Sequence, residues 1–343
     1  MFGKAIPTYL LYLGTVKKIM SVLKSIRRPV ESEMVEFESY FNATMRSNIP
    51  LLRIILNYIL RRKGKQMRPL LVMLTAKLHG KIGEPTYVAA ALIELLHTAT
   101  LVHDDVVDDA HERRGALSIN ALWNSKIAVL VGDYMLSKGL LISVEKGRYD
   151  MLEIVSEAVK AMSEGELLQL QKSRKLNITE EDYFTIIRMK TAALIAACTA
   201  CGAKSVTDDT DLIMNMKEFG ETIGVAFQIR DDVLDYESTG LTGKPSGNDI
   251  KEKKITLPLI YALEKCDRRT RNEIMGIMKT KKKSSGDVKR VVDFVYASGG
   301  IEYAEELMHQ HRDKALAILD TCPAGEVNDS LREFVMYTTS RKK

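Results

Sequence analysis

A chain of 343 residues with 45% hydrophobic and 28% charged residues is long enough to bury a sizeable core, in the manner of an ordinary soluble protein. The 50 basic and 45 acidic residues leave a net charge of only +5, spread along the chain, which argues against a nucleic-acid-binding surface and leaves anionic small substrates open. Four cysteines are too few for a disulfide framework and suit a reducing, cytoplasmic compartment.

From the N-terminus, residues 1–31 read as an extension with helical character, ahead of a single domain over residues 32–343. The apolar patch Tyr9 to Leu13 and its flanking lysines lack the ordered zones of a secretory signal. No apolar run reaches the roughly 18 residues that a membrane span needs, so at most a peripheral contact with a membrane surface is expected. All eight prolines lie outside Thr86 to Lys244, and in those 159 residues the apolar side chains recur at three- and four-residue spacing. That pattern predicts long helices.

The segment Pro85 to Val107 is apolar nearly all the way round, with Ala89, Leu92, Ile93, Leu96, Ala99 and Val102 among its members, and belongs at the centre of a bundle. A buried helix is expected over residues 183–203. Within it, Cys198 and Cys201 have no second cysteine pair or histidine nearby, and their spacing places two small residues on one helix face. A third apolar helix is expected over Thr207 to Asp235. Helix starts are signalled at Thr179-Glu180-Glu181-Asp182 and at Thr207-Asp208-Asp209. Turn formers gather in Glu237 to Asp249, immediately after a cluster of aspartates, which predicts a loop over a site.

Two acidic motifs carry the chemistry. Asp104-Asp105-Val106-Val107-Asp108 closes the first apolar helix, and Asp231-Asp232-Val233-Leu234-Asp235 closes the third. At about 3.6 residues per turn, the first and fifth positions of each motif point the same way, so carboxylates converge and repel unless a cation binds. All-oxygen ligands favour Mg²⁺ or Ca²⁺ over zinc, and Mg²⁺ often completes its shell with substrate phosphates. One such motif alone could be a solvated helix end; two, each in an apolar helix, argue for a diphosphate site.

Basic residues suited to phosphate accompany them: Lys65 and Arg68 in Gly64-Lys65-Gln66-Met67-Arg68-Pro69, His97 before the first motif, and Arg113-Arg114-Gly115 after it. Lys190-Thr191 interrupts an apolar helix, and Lys244 and Lys254 flank or follow the glycine-rich loop. Individually these are weak signals, since a single histidine or surface lysine more often has a structural role.

With those residues laid out, the chain resembles the trans-isoprenyl diphosphate synthases, the polyprenyl synthetase family, from about Ser32 to the C-terminus. The resemblance covers GKQMRP, DDVVD, RRG, the KT pair, QIRDDVLD and GKPSGND followed by Lys254, in the family's order. It implies an all-α, single-domain bundle of long helices around a deep central cavity, a homodimer, and three Mg²⁺ ions between the two motifs when substrate is bound. By residue matching, Asp104, Asp108 and Asp231 resemble metal ligands, with Asp105, Asp232 and Asp235 supporting them. Lys65, Arg68, His97 and Arg114 would hold isopentenyl diphosphate. Arg113, Lys190, Lys244 and Lys254 would hold the allylic diphosphate, a farnesyl or geranylgeranyl primer, with Thr191 and Gln228 at the reacting end.

Ala99 and Thr100, five and four residues before Asp104, are small where short-chain members of the family carry Phe or Tyr, and no insertion interrupts DDVVD. A long-chain, all-trans product is therefore expected over a farnesyl- or geranylgeranyl-length one. Deeper limits on chain length could come from Leu95, Leu96, Met135 or Leu136. A class I terpene cyclase is disfavoured because its second metal motif carries Asn, Ser or Thr with Glu. A non-catalytic synthase subunit is disfavoured because such subunits lose the aspartates.

Overall fold

The proline-free span folds here mainly as helices, in whose interiors each N–H finds its carbonyl one turn back. The computed structural model describes residues 21–62, 64–113, 115–237 and 247–340. The segment expected from Pro85 is the helix Glu84–Val107, with the proline in its first turn, where no N–H donor is needed. The segment expected from Thr207 is the helix Thr210–Tyr236, capped by Asp209, whose Oδ1 accepts from the backbone N–H of Asp211 at 3.0 Å and Leu212 at 3.1 Å. The N-cap expected at Thr179 is present and reciprocal: Thr179 Oγ1 accepts from Asp182 N–H at 3.2 Å, and Asp182 Oδ2 accepts from Thr179 N–H at 3.1 Å.

The helix expected over 183–203 is not continuous. It is built as Glu180–Ile187, a wide turn over Arg188–Ala192, and Ala193–Lys204. In the wide turn the N–H of Ala193 reaches back five residues to the carbonyl of Arg188. Such turns re-aim the side chains they contain and often mark functional sites; this one contains Lys190 and Thr191. Among the described residues the only extended pair is a short hairpin, Glu112–Arg113 with Ala116–Leu117. The all-α expectation holds. Of the expected N-terminal extension, residues 21–27 are helical and Ile26 and Val30 are fully buried; residues 1–20 lie outside the described residues.

No shift in composition marks a boundary, yet the described chain divides into two compact units. One comprises residues 27–159 and 194–218, the other residues 21–26, 160–193 and 219–340. In the first, the helix Glu84–Val107 packs against Met67–His79 and along Ser125–Glu145. All six apolar residues singled out on it are at most 5% exposed, and burying a Val, Leu or Ile side chain stabilises by about 1.5–3 kcal/mol. In the second, Leu257–Lys265 packs against Gly300–Asp320, which packs against Glu326–Ser340. Ile229, Val233 and Tyr236, on the inner face of Thr210–Tyr236, join the same core.

The expectation that nothing is apolar enough to span a membrane needs correcting. Glu84–Val107, Ser125–Glu145 and Glu180–Lys204 are each long and apolar enough by length and composition. Their few polar residues interrupt every long apolar run yet leave each helix apolar on average. The first and third bury 61% of the relevant window within the protein, Ser125–Glu145 only 39%. On that helix Val129, Leu130, Leu140, Leu141 and Val144 are exposed.

None of the four cysteines forms a disulfide. Burial pushes the Cys198 thiol up to about 12 and that of Cys201 higher still, and only thiolate reacts. Iodoacetamide at pH 8 is expected to label the partly exposed Cys266 and Cys322 slowly, and Cys198 and Cys201 only after denaturation. Peptide mass spectrometry checks this; native labelling of Cys198 would contradict the packing.

Candidate active site

The first unit holds the first acidic motif. Apolar residues on three sides draw the helix Glu84–Val107 inward, and its last turn carries Asp104 and Asp108, both exposed, with Asp105 3% exposed between them. A carboxylate buried that deeply needs a partner. Arg113 supplies it: the hairpin returns the chain so that its Nε donates to Asp105 Oδ1 at 2.6 Å. Asp105 is thus oriented by an arginine, and Arg113, expected on a substrate phosphate, is engaged with the motif itself.

His97, Asp105 and Arg113 line one cavity with Gly64, Glu94 and Thr98. His97 is 9% exposed, and its carbonyl accepts from Thr100 Oγ1 at 2.8 Å. Lys65 and Arg68 do not line this cavity. They sit where the chain enters the helix Met67–His79, through Gln66 in a left-handed conformation with φ of 50°. Lys65 is exposed and Arg68 half-buried. Arg114 lies outside the described residues.

The second unit holds the second motif and a connected polar chain. Lys190, Thr191, Gln228, Asp232 and Lys254 line a single cavity of about 110 Å³, enough for several waters. Thr191 Oγ1 donates to Gln228 Oε1 at 2.8 Å, and Gln228 Nε2 donates to Asp232 Oδ1 at 2.8 Å. The Tyr183 hydroxyl donates to Asp232 Oδ2 at 2.7 Å. Gln228 and Asp232 are one turn apart on one helix, while the wide turn brings Thr191 to them. That approach depends on Gly224: a Cβ there would stand 2.5 Å from Ala192 Cα.

Lys190 Nζ donates to Gln169 Oε1 at 2.8 Å and pairs with Glu166. Lys254 pairs with Glu252 at 2.7 Å. Burial pulls the Lys254 ammonium down, but the Glu252 hydrogen bond and the charges of Glu252, Asp249 and Glu166 hold it above its usual value. Asp231 and Asp235 lie outside this cavity. Asp235 closes the far end of the loop: its carbonyl accepts from Gly247 N–H at 2.8 Å and its Oδ2 from Asp249 N–H at 2.9 Å. Gly247 turns there with φ of 76°, which a side chain tolerates poorly. Lys244 and most of the expected loop lie outside the described residues.

Sequence reasoning assigned no role to Asp249, Tyr183, Gln169 or Glu166. Asp249 was visible as the last residue of GKPSGND. Tyr183 carried no signal, because its partner lies 49 residues away. Burial and then the charge of Asp249 push the Asp232 carboxyl up to about 8, and Asp231 adds to the effect. Burial and Asp235 push Asp249 up to about 6. These carboxylates therefore strain against one another's charge, which a bound cation relieves.

Among the described residues no three His, Cys, Asp or Glu side chains converge tightly enough to form a metal cage. The donor chemistry nonetheless fits a hard divalent cation, because Mg²⁺ takes one or two carboxylates and completes its shell with water and substrate phosphate.

The polyprenyl synthetase family model matches residues 49–295. Octaprenyl diphosphate synthase of Escherichia coli is 33% identical over 304 residues, covering 88% of this chain and 93% of that relative. A short chain isoprenyl diphosphate synthase of Methanothermobacter thermautotrophicus is 35% identical over 291 residues, covering 81% and 88%. Among solved structures, polyprenyl synthase from Caulobacter crescentus, complexed with calcium and isoprenyl diphosphate, superposes with a TM-score of 0.85 at 32% identity, covering 94% of this chain and 98% of that one.

Proposed function

The chain belongs to the polyprenyl synthetase family and is a trans-prenyltransferase, and from that premise we propose that it condenses isopentenyl diphosphate with a farnesyl or geranylgeranyl diphosphate primer to make a long-chain all-trans polyprenyl diphosphate. The observation that carries this reading is the pairing, in each unit, of an aspartate motif at the end of an apolar helix with basic side chains beside it. Relatives of both product lengths match this chain, so the preference for a long product rests on Ala99 and Thr100.

Asp104, Asp108 and Asp231 would hold Mg²⁺, and when bound the ions supply positive charge to the departing diphosphate. Arg113 holds Asp105 in orientation; Tyr183 and Gln228 do the orienting for Asp232. Lys190 and Lys254, each held by a carboxylate, can exchange that partner for a phosphate of the primer. Lys65, Arg68 and His97 are assigned to isopentenyl diphosphate, together with Arg114; Lys244 joins the primer set.

The allylic carbon–oxygen bond breaks with its electron pair leaving on the diphosphate. The isopentenyl double bond forms the new carbon–carbon bond, and the proton then lost passes to the released diphosphate. No protein base is required. A homodimer would cover the exposed apolar residues of Ser125–Glu145. Unpaired cysteines suit a cytoplasmic location.

Incubation with Mg²⁺, labelled isopentenyl diphosphate and farnesyl diphosphate, followed by dephosphorylation and thin-layer chromatography, is expected to give a ladder ending at long products. Cyclic hydrocarbon, or no product, would overturn the reading. Ala99 is 2% exposed, and Ala99→Phe is expected to end the ladder several isoprene units earlier. An unchanged ladder excludes the side chain at this position as part of the floor.

A further inference from the structure

The surface around the helix Pro50–Arg61 combines two chemistries. Arg46 in the preceding linker, and Arg53, Asn57 and Arg61 at four-residue steps along the helix, line an open cavity of about 690 Å³ with Asn42 and Asn48. No carboxylate lines it, and among the described residues no ion pair joins Arg46, Arg53 or Arg61 to an acidic side chain. Beside these arginines, Ile49, Leu51 and Ile54 are exposed by 61%, 45% and 57%. Ile54 and Arg61, seven residues apart, stand about 20° from one another round the helix axis. The helix is held from its opposite side by Ile55 and Leu56, each 1% exposed.

We propose that this surface, Ile49, Leu51 and Ile54 with Arg46, Arg53 and Arg61, docks the protein onto an anionic lipid bilayer. Branched apolar side chains flanked by arginines suit the boundary between acyl chains and headgroups: the apolar groups enter it and the guanidinium forks meet lipid phosphates. A soluble phosphate ligand would use the arginines and leave the three apolar side chains unexplained. A second copy docked through the same face would set arginines against arginines across a twofold axis. The purpose of the surface, though not its chemistry, rests on the proposed function, since a long polyprenyl product leaves water for a membrane.

The test is sedimentation of the full chain with phosphatidylcholine vesicles, with and without phosphatidylglycerol, at low and high salt. Binding is expected only with phosphatidylglycerol, with release by salt. Arg46→Gln/Arg53→Gln/Arg61→Gln is expected to weaken binding on the order of a hundredfold. Ile49→Ser/Leu51→Ser/Ile54→Ser should also weaken it, leaving a remnant that is still salt-sensitive. The proposal is overturned if the wild type ignores anionic vesicles, binds neutral ones equally well, or binds undiminished after the arginine substitutions.

Two further measurements guard the interpretation. If calorimetric titration with pyrophosphate finds a site that the arginine variant loses, the arginines serve a soluble anion and the lipid assignment fails. If the apolar variant alters the oligomeric state in gel filtration, the face belongs to a second copy. Prenyl transfer measured in detergent should be unchanged in both variants. Its absence from the wild type would sink the proposed function while leaving the vesicle result intact.

Discussion

Asp104→Ala and Asp231→Ala are each expected to lower turnover by about 10²- to 10³-fold, with the helical circular dichroism unchanged. Asp104 is exposed and Asp231 half-buried, so truncation leaves no cavity in the core. What disappears is negative charge at the end of an apolar helix, which the proposed cation-dependent ionisation needs.

Asp232→Ala provides the contrast. It strips the Tyr183 hydroxyl and Gln228 amide of their acceptor inside the protein, which costs about 1–3 kcal/mol, so its urea midpoint should fall as well as its activity. Rate measurements over a Mg²⁺ titration, beside urea melts of all four proteins, separate the cases. Near-normal turnover for Asp104→Ala or Asp231→Ala would remove the metal assignment.

Gly224→Val is expected to lower stability by about 3 kcal/mol and to carry the activity down with it. A Cβ at this position meets Ala192 Cα at 2.5 Å and Ala192 Cβ at 2.7 Å. The obstacle is main chain, which cannot rotate aside. Relief requires the wide turn at Arg188–Ala192 to move away from the helix Thr210–Tyr236, and Thr191 would then lose its 2.8 Å hydrogen bond to Gln228. The better helix propensity of a residue other than glycine, worth about 0.5 kcal/mol or less for valine, does not offset that. A urea midpoint equal to wild type, with ordinary turnover, would contradict the close approach described here.

Much of this was legible in advance because it is local. Spacing at three and four residues requires only neighbours on one helix, so Glu84–Val107 and Thr210–Tyr236 were read within a few residues of their ends. The Thr179 cap uses Asp182, three residues on. The aspartate motifs were legible for the same reason: convergence of their carboxylates follows from helix geometry alone. The break after Ile187 was not, since no residue type demands a five-residue reach and the turn persists only because packing holds it. The apolar averages of three helices were also underestimated, because a search for unbroken runs discards a helix with a few polar residues.

By itself, the sequence determined the helices, the two acidic motifs that end them, and the family, each of which depends on order and spacing along the chain. Tertiary structure alone decided which partners those motifs keep: Arg113 on Asp105, Tyr183 and Gln228 on Asp232, and Asp249 beside Asp235. The physical reason is burial. A carboxylate removed from water must find a donor wherever the fold brings one, and for Asp232 the fold brings Tyr183 from 49 residues away.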